Sequence, residues 1–285
     1  LESIRKNRLV LKGPLTTPVG EGFSSINFSI LKEFDLYANV RPVISMPGTR
    51  SRYEDINIIT VRENTQGAYL AADSKISDDG ETAESKMVVT RAGCARVVHY
   101  AFQMARLAGR KKVTIVHKAN ILKTVSGMFL DIGREVAAGY PDIETEEMIV
   151  DATCMKLVMN PWQFDVIVTT NLFGDIISDL CAGLVGGLGL APGANIGDGA
   201  AMFEAVHGSA PDIAGQGKAN PLATILSLAM MLRFSLNRPE LADIIEAAIG
   251  RVLDDGLRTP DIAASGTQTV GTRDMGDAVV AALRP

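Results

Sequence analysis

Phe164-Asp165-Val166-Ile167-Val168-Thr169-Thr170-Asn171-Leu172-Phe173-Gly174-Asp175-Ile176-Ile177-Ser178-Asp179 carries two structural signals back to back. Phe164 to Val168 is an apolar run that reads as a buried strand. From Asn171 onwards the chain reads as a helix, and Asp175 and Asp179, four residues apart, project from one face of it. Like charges at that spacing repel, so the pair costs stability unless a cation sits between the carboxylates. Hard divalent ions such as Mg²⁺ or Mn²⁺ take oxygen ligands of this kind. Two aspartates at this spacing also suit a solvated acidic helix face. Their place after a strand, amid apolar residues and ahead of the glycine-rich stretch 183–199, favours the metal.

Working outward, strand and helix signals alternate, which is the pattern of a layered α/β fold. Leu9 to Leu11 is a short strand ending at Gly13-Pro14, and Thr16-Thr17-Pro18-Val19-Gly20 is a loop. Ser25 to Phe34 is helical. Ile56 to Arg62, Lys112 to His117, Glu146 to Val150 and Phe164 to Thr169 are strand-like, while Arg91 to Ala108 and Ser126 to Ala138 have helical apolar spacing. Asp73 to Lys86 is polar and acidic and reads as a protruding arm or hairpin. After Gly199 a strand leads to the His207-Gly208 loop, and Asn220 to Phe234 and Pro239 to Asp254 are helices. With no internal repeat and no low-complexity linker, two interleaved lobes are expected.

The 285 residues can bury a sizeable core. A net charge of −5 argues against a general nucleic-acid or membrane-surface binder. Cys94, Cys154 and Cys181 are widely spaced, fit no metal pattern, and read as reduced core thiols of a cytoplasmic protein. No apolar run is long enough to span a bilayer. The chain opens on Leu1 without a signal-peptide pattern, so it is expected to begin inside a longer protein.

Basic residues are expected where strands end: Arg41 in Asn39-Val40-Arg41-Pro42, Arg62 in Val61-Arg62-Glu63-Asn64-Thr65, and Lys118 in Val116-His117-Lys118-Ala119-Asn120. A guanidinium grips a carboxylate through two parallel hydrogen bonds, so paired arginines suit a substrate with several carboxylates. Each basic residue alone reads better as a surface ion pair, and Tyr69 reads equally as a core aromatic. Together with the acidic pair they can build a metal–carboxylate site with a proton donor beside it.

These segments resemble the metal-dependent β-decarboxylating dehydrogenases, the family of isocitrate, isopropylmalate and homoisocitrate dehydrogenases. The resemblance rests on Lys12-Gly13-Pro14 with Thr16-Thr17-Pro18, Asn39-Val40-Arg41-Pro42, Arg62-Glu63-Asn64-Thr65, His117-Lys118-Ala119-Asn120, the acidic helix, and His207-Gly208-Ser209-Ala210-Pro211-Asp212. It implies two lobes sharing an extended sheet, not a Rossmann fold, and the missing GxGxxG agrees. Residues 1–36 and 186–285 would form a large cofactor-binding domain. Residues 37–185 would form a small dimerisation and metal-binding domain, with a clasp-like arm at about 70–88. Family members usually carry a further strand and helix before Lys12-Gly13-Pro14, absent here.

The resemblance implies roles residue by residue. Asp175 and Asp179 would hold Mg²⁺ or Mn²⁺, with Asp151 completing the site from a partner subunit. Arg41 and Arg62 would bind substrate carboxylates, Tyr69 would be the general acid, and the partner's Lys118 would assist proton removal together with Asp151. Ser25 and Asn27 match positions that hydrogen-bond isocitrate's distal carboxylate, although Ser25 can equally be an N-cap. Leu31 stands where the family has its first substrate arginine. His207, Gly208, Asp212, Ile213, Asn220 and Asp261 would meet the adenosine, with Thr17 and Glu204 nearer the nicotinamide. A carboxylate at Asp212 accepts hydrogen bonds from ribose hydroxyls and repels a 2′-phosphate, which favours NAD over NADP. The implied activity is NAD-dependent oxidative decarboxylation of isocitrate, a tricarboxylate, by a homodimer or homotetramer in the cytoplasm, or in the mitochondrial matrix of a eukaryote. The alternatives are a homoisocitrate or isopropylmalate dehydrogenase, or a non-catalytic regulatory chain of a hetero-oligomer.

Overall fold

The structure, a computed structural model, describes residues 1–16, 26–46, 48, 49 and 51–283. Its helices and strands run α1 (Glu2–Asn7), β1 (Leu9–Leu11), α2 (Ile26–Glu33), β2 (Ala38–Ile44), β3 (Asn57–Glu63), β4 (Gly67–Ile76), β5 (Ala83–Val88), α3 (Arg91–Leu107), β6 (Lys112–His117), α4 (Val125–Ala137), β7 (Glu144–Ile149), α5 (Val150–Met159), β8 (Val166–Thr169), α6 (Asn171–Leu184), β9 (Pro192–Ile196), β10 (Ala201–Ala205), α7 (Leu222–Phe234), α8 (Pro239–Asp254) and α9 (Thr272–Ala282). Among the described residues, eight strands form one sheet in the order β1-β10-β9-β2-β3-β8-β6-β7. The run β3-β8-β6-β7 is parallel, whereas β2 is antiparallel to both β3 and β9, and β9 to β10. This is the expected mixed α/β architecture. The antiparallel strands at its centre set it apart from the parallel Rossmann sheet. Among the described residues, strands β4 and β5 pair only with each other, as an antiparallel hairpin with two register shifts.

Strand β8 is buried on both faces. Val166 and Val168 share a core with Phe102 of α3 and Phe129 of α4, and Ile167 between them packs with Leu157 of α5 and Ile177 of α6. A strand covered on both faces loses its polar alternation, hence the continuous apolar run. Fully burying one such side chain contributes about 1.5–3 kcal/mol. A third core joins Leu226 of α7, Ile249 and Val252 of α8, and Met275 and Val279 of α9. Met230, on the same α7, packs into the core of α3 and α4, so α7 links the third core to the sheet.

One finding differs from the expectations raised by the sequence, and two more were not anticipated by it. Arg41 lies inside β2 rather than at a strand end. Its neighbour Pro42 is tolerated there because pairing with β9 stops at Val40, so no ladder needs the missing N–H. The glycine-rich stretch 183–199 contains a central strand, β9, which Pro192 opens at the position where proline is allowed. Leu31 is buried against Ile30, Phe34, Leu36 and Met202, so it fills a core instead of facing a ligand.

The tight β9–β10 turn gives a clean test of backbone packing. A Cβ at Gly197 would sit 2.4 Å from the Asp35 carbonyl oxygen, while one at Gly199 meets nothing within 4 Å. Gly197→Ala is expected to destabilise the protein by about 1–3 kcal/mol through overpacking. Gly199→Ala, in the same turn, should leave the urea midpoint unchanged or raised.

Candidate active site

At the C-terminal ends of β3 and β8 the first two turns of α6 meet the two arginines. Arg62, buried on β3, donates from Nε and Nη2 to Asn171 Oδ1 at 3.0 and 2.7 Å, and from Nη1 to Asp175 Oδ1. Arg41 Nη1 donates to Ser178 Oγ at 2.6 Å and to Asp175 Oδ1 at 3.2 Å, and lies 3.6 Å from Asp179 Oδ1. Tyr69, on β4, donates its hydroxyl to Asp175 Oδ2 at 2.5 Å and lies under the Arg62 guanidinium, 4.9 Å from its ring centre. Gly174 makes this approach possible, since a Cβ there would stand 2.6 Å from Cβ and Cγ of Arg62. The structure thus brings together Arg41, Arg62, Tyr69, Asp175 and Asp179. The cations that relieve the repulsion between the aspartates in this chain are the two guanidiniums.

The two aspartates are not equivalent. Burial pushes the Asp175 carboxyl up, but Arg62, the Tyr69 hydroxyl and Arg41 outweigh it and hold it below the usual carboxylate range. Asp179 is half-exposed, and burial with the neighbouring Asp175 raises its carboxyl against the pull of Arg41. Tyr69 is raised above the ordinary phenol by burial and by its hydrogen bond to Asp175, so it carries its proton at neutral pH. Two hard carboxylates one turn apart suit Mg²⁺ or Mn²⁺ as partial ligands. Among the described residues, no group of three or more His, Cys, Asp or Glu side chains is placed to hold a metal ion.

Lys118 and Asp151 stand apart from this cluster. Lys118 follows β6, Asp151 lies in the first turn of α5, and their side chains form an ion pair at 2.6 Å. Neither makes a hydrogen bond or ion pair with Arg41, Arg62, Tyr69, Asp175 or Asp179.

Glu204, on β10, lies at a polar cavity of about 150 Å³ whose lining includes Asn27, Asn39, Arg41, His207 and Gly208. Lys12 pairs with its Oε2. Beyond His207 opens a second cavity, of about 530 Å³, lined among others by His207, Gly208, Ile213, Asn220 and Thr224. Asp212 is exposed in the short turn next to it. Asp261 accepts from Asn220 Nδ2 at 3.1 Å and from Thr259 Oγ1 at 2.6 Å, which ties two of the expected adenosine contacts to each other. Thr17 and Ser25 lie outside the described residues. Sequence reasoning missed Asn171 and Ser178 as partners of the arginines, and Lys12 as the partner of Glu204. Asn171 had a legible signal as the residue opening a helix straight after a buried strand.

A family description, isocitrate/isopropylmalate dehydrogenase, matches residues 1–279. The chain belongs to that family. It is 50% identical over 278 residues to the mitochondrial NAD isocitrate dehydrogenase catalytic subunit 5 of Arabidopsis thaliana, covering 97% of this chain and 74% of that one. It is 51% identical over 264 residues to a mitochondrial NAD isocitrate dehydrogenase regulatory subunit of Dictyostelium discoideum, covering 92% and 74% respectively. The crystal structure of isocitrate dehydrogenase from Methylococcus capsulatus superposes with a TM-score of 0.96 at 56% identity, covering all of this chain and 84% of that one. The chain is accordingly a dehydrogenase-family protein of mixed α/β fold.

The bundle around Asp175 predicts unequal costs for its two aspartates. Asp175→Asn leaves two poorly solvated guanidiniums facing a neutral amide and should cost about 1–3 kcal/mol, allowing for the partial exposure of Asp175. Asp179→Asn relieves a carboxyl raised by its surroundings and should change stability by less than about 0.5 kcal/mol. Urea unfolding in chelator, with no divalent ion present, reads the difference directly.

Proposed function

We propose that this chain catalyses NAD-linked oxidative decarboxylation of isocitrate to 2-oxoglutarate and CO₂ with Mg²⁺ or Mn²⁺, in a site shared between two copies. The observation that carries this reading is the convergence of Arg41, Arg62, Tyr69, Asp175 and Asp179 at the ends of β3 and β8. Asp175 and Asp179 would hold the metal, with Asp151 of the second copy as third carboxylate. When bound, the ion acts as a Lewis acid that acidifies the substrate hydroxyl. Arg41 and Arg62 would orient substrate carboxylates through their fixed forks of donors. The second copy's Lys118 would assist removal of the hydroxyl proton while hydride leaves for the nicotinamide. After CO₂ is lost, Tyr69 would deliver its phenolic proton to the carbon left behind.

At the cofactor end, Glu204 offers negative charge beside the cationic ring of NAD⁺. His207, Gly208, Ile213 and Asn220 line the cavity proposed for the adenosine, with Asp212 and Asp261 beside it and Thr17 assigned to the nicotinamide end by the resemblance alone. Ser25 and Asn27 are assigned to the distal carboxylate on the same basis. The division into 1–36 with 186–285 for the cofactor, and 37–185 with the arm at 70–88 for dimerisation, belongs to this proposal. A second copy has a surface to occupy: Met155, Val158 and Met159 of α5 and Leu172 and Ile176 of α6 are apolar and exposed, on the helices that carry Asp151 and Asp175. The assembly is placed in the cytoplasm, or in the mitochondrial matrix if the source is eukaryotic. No helix among the described residues is long and apolar enough to cross a membrane.

A regulatory role is the second reading, because one of the similar proteins is a regulatory subunit. Tyr69, Lys118, Asp151, Asp175 and Asp179 are all in place here, which favours the catalytic one. Purified protein is expected to reduce NAD⁺ with isocitrate and Mn²⁺, and faster than with homoisocitrate or isopropylmalate. Absence of turnover by the chain alone would support the regulatory reading instead. Tyr69→Phe should lower kcat by about 10²–10⁴-fold while leaving the fold intact. Asp212→Lys combined with Ile213→Tyr should raise NADP use relative to NAD, read as the ratio of the two kcat/KM values.

A further inference from the structure

Behind the Glu204 cavity lies a chain of buried amides. Asn39, Asn64 and Asn195 are 4%, 3% and 2% exposed. Asn195 Oδ1 accepts from Asn39 Nδ2 at 2.7 Å and from Asn64 Nδ2 at 2.9 Å, which uses both of its lone pairs. Its own NH₂ is thereby turned the other way, donating to Glu204 Oε1 at 3.0 Å and to the Met202 carbonyl at 3.3 Å. Reversing this amide would set three NH₂ groups against one another and a carbonyl oxygen against a carboxylate. Network satisfaction therefore fixes its orientation. Glu204 Oε1 also receives Asn27 Nδ2 at 3.4 Å, and Oε2 receives Lys12. Of the residues that line the cavity, Asn27, Asn39, Arg41 and His207 each have a buried polar atom (Oδ1, Oδ1, Nε and Nε2) with no partner among the described residues. Buried polar atoms left unmatched are costly, so this wall is built to meet a ligand.

We propose that Asn195 is a positioning residue: the Asn39–Asn195–Asn64 chain clamps the Glu204 carboxylate in the orientation that holds the nicotinamide end of the dinucleotide. This rests on the assignment of Glu204 to that end. The β9 backbone makes its ladder bonds without this side chain, so the amide is free to serve Glu204. The charged or titratable groups facing Glu204 among the described residues are Lys12, Arg41 and His207. Their effects enter the wild-type profile equally, so the variant-to-wild-type ratio isolates position 195.

The test is NAD⁺ binding by calorimetry on the whole protein across pH 5.5–8.5, with KM for NAD⁺ and kcat measured in parallel. Asn195→Asp keeps the shape but sets a carboxylate against Glu204. It should weaken NAD⁺ about ten-fold at alkaline pH, the worth of one hydrogen bond to a charged group. Binding should recover as pH falls, because one proton shared by the two carboxyls restores a donor. Asn195→Leu should weaken binding by a similar factor with no recovery in acid, and both variants should raise KM for NAD⁺ more than they lower kcat. A pH-independent Asn195→Asp, or an Asn195→Leu that binds like wild type, would overturn the proposal while leaving the cofactor assignment standing. If wild type binds NAD⁺ and Glu204→Gln binds it equally well, the assignment of Glu204 falls, and the proposal with it.

Discussion

A single carboxylate, Asp175, satisfies two guanidiniums and a phenol, and most of the candidate site is arranged around that fact. Its Oδ1 takes donors from Arg41 and Arg62, and its Oδ2 takes the hydroxyl of Tyr69. Those donors come from β2, β3 and β4, so one side chain of α6 ties three strands to the helix. Removing these charges from water costs several kcal/mol per ion, most of it offset only when the geometry is complete. The bundle therefore contributes little net stability but enforces one arrangement. With Arg62 held on Asn171 as well, the first turn of α6 has a single seat, and Gly174 supplies the room for it.

Arg41 links that bundle to the Glu204 cavity. Its Nη1 reaches Asp175 and Ser178, while its Nε is buried with no partner among the described residues, and the residue also lines the cavity. Asn39, two residues earlier on the same strand and therefore on the same face, joins the amide chain behind Glu204. One stretch of β2 thus touches both centres. A ligand that engages Arg41 Nε must act on a guanidinium whose far end is already committed to Asp175. On the proposed assignment, Arg41 would link the substrate and cofactor ends of the site through a guanidinium whose pKa is lowered by burial and by the neighbouring Arg62.

What the sequence disclosed follows from where each signal is local. The buried strand Phe164–Val168 and the acidic face at Asp175 and Asp179 were legible because an apolar run and an i, i+4 spacing are properties of adjacent residues. The partnership of Arg62 with Asp175 was not legible, since it spans over a hundred positions and depends on β3 lying beside β8. Strand β9 was hidden by composition. Pro192-Gly193-Ala194-Asn195-Ile196 has the residues of a loop, and only pairing on both sides makes it a strand. Asn195 went unseen for the same reason, as did Arg41's true place within β2. Leu31 could be compared with a family pattern but not located, because whether a leucine faces a core or a cavity depends on the helix's contacts and not on its sequence.

The separation of Lys118 and Asp151 from the Asp175 bundle has its own electrostatic logic. Each group is close to neutral by itself: one lysine against one aspartate in the first, two arginines against two aspartates in the second. In the proposed two-copy assembly, neutral halves would come together without burying net charge, which is the costly part of assembling a polar site at an interface. The attraction then falls to apolar surface. Exposed Met155 and Val158 lie on the same helix as Asp151, and exposed Ile176 lies next to Asp175. A cation arriving between the halves would draw on Asp179, whose carboxyl is raised, and on Asp151, whose carboxyl its hydrogen bond to Lys118 holds low. Lys118 holds Asp151 through Oδ1, so a cation drawing on that oxygen would compete with the lysine. In that competition the lysine would lose its counter-charge as the carboxylate is engaged, which links the two roles proposed for this pair.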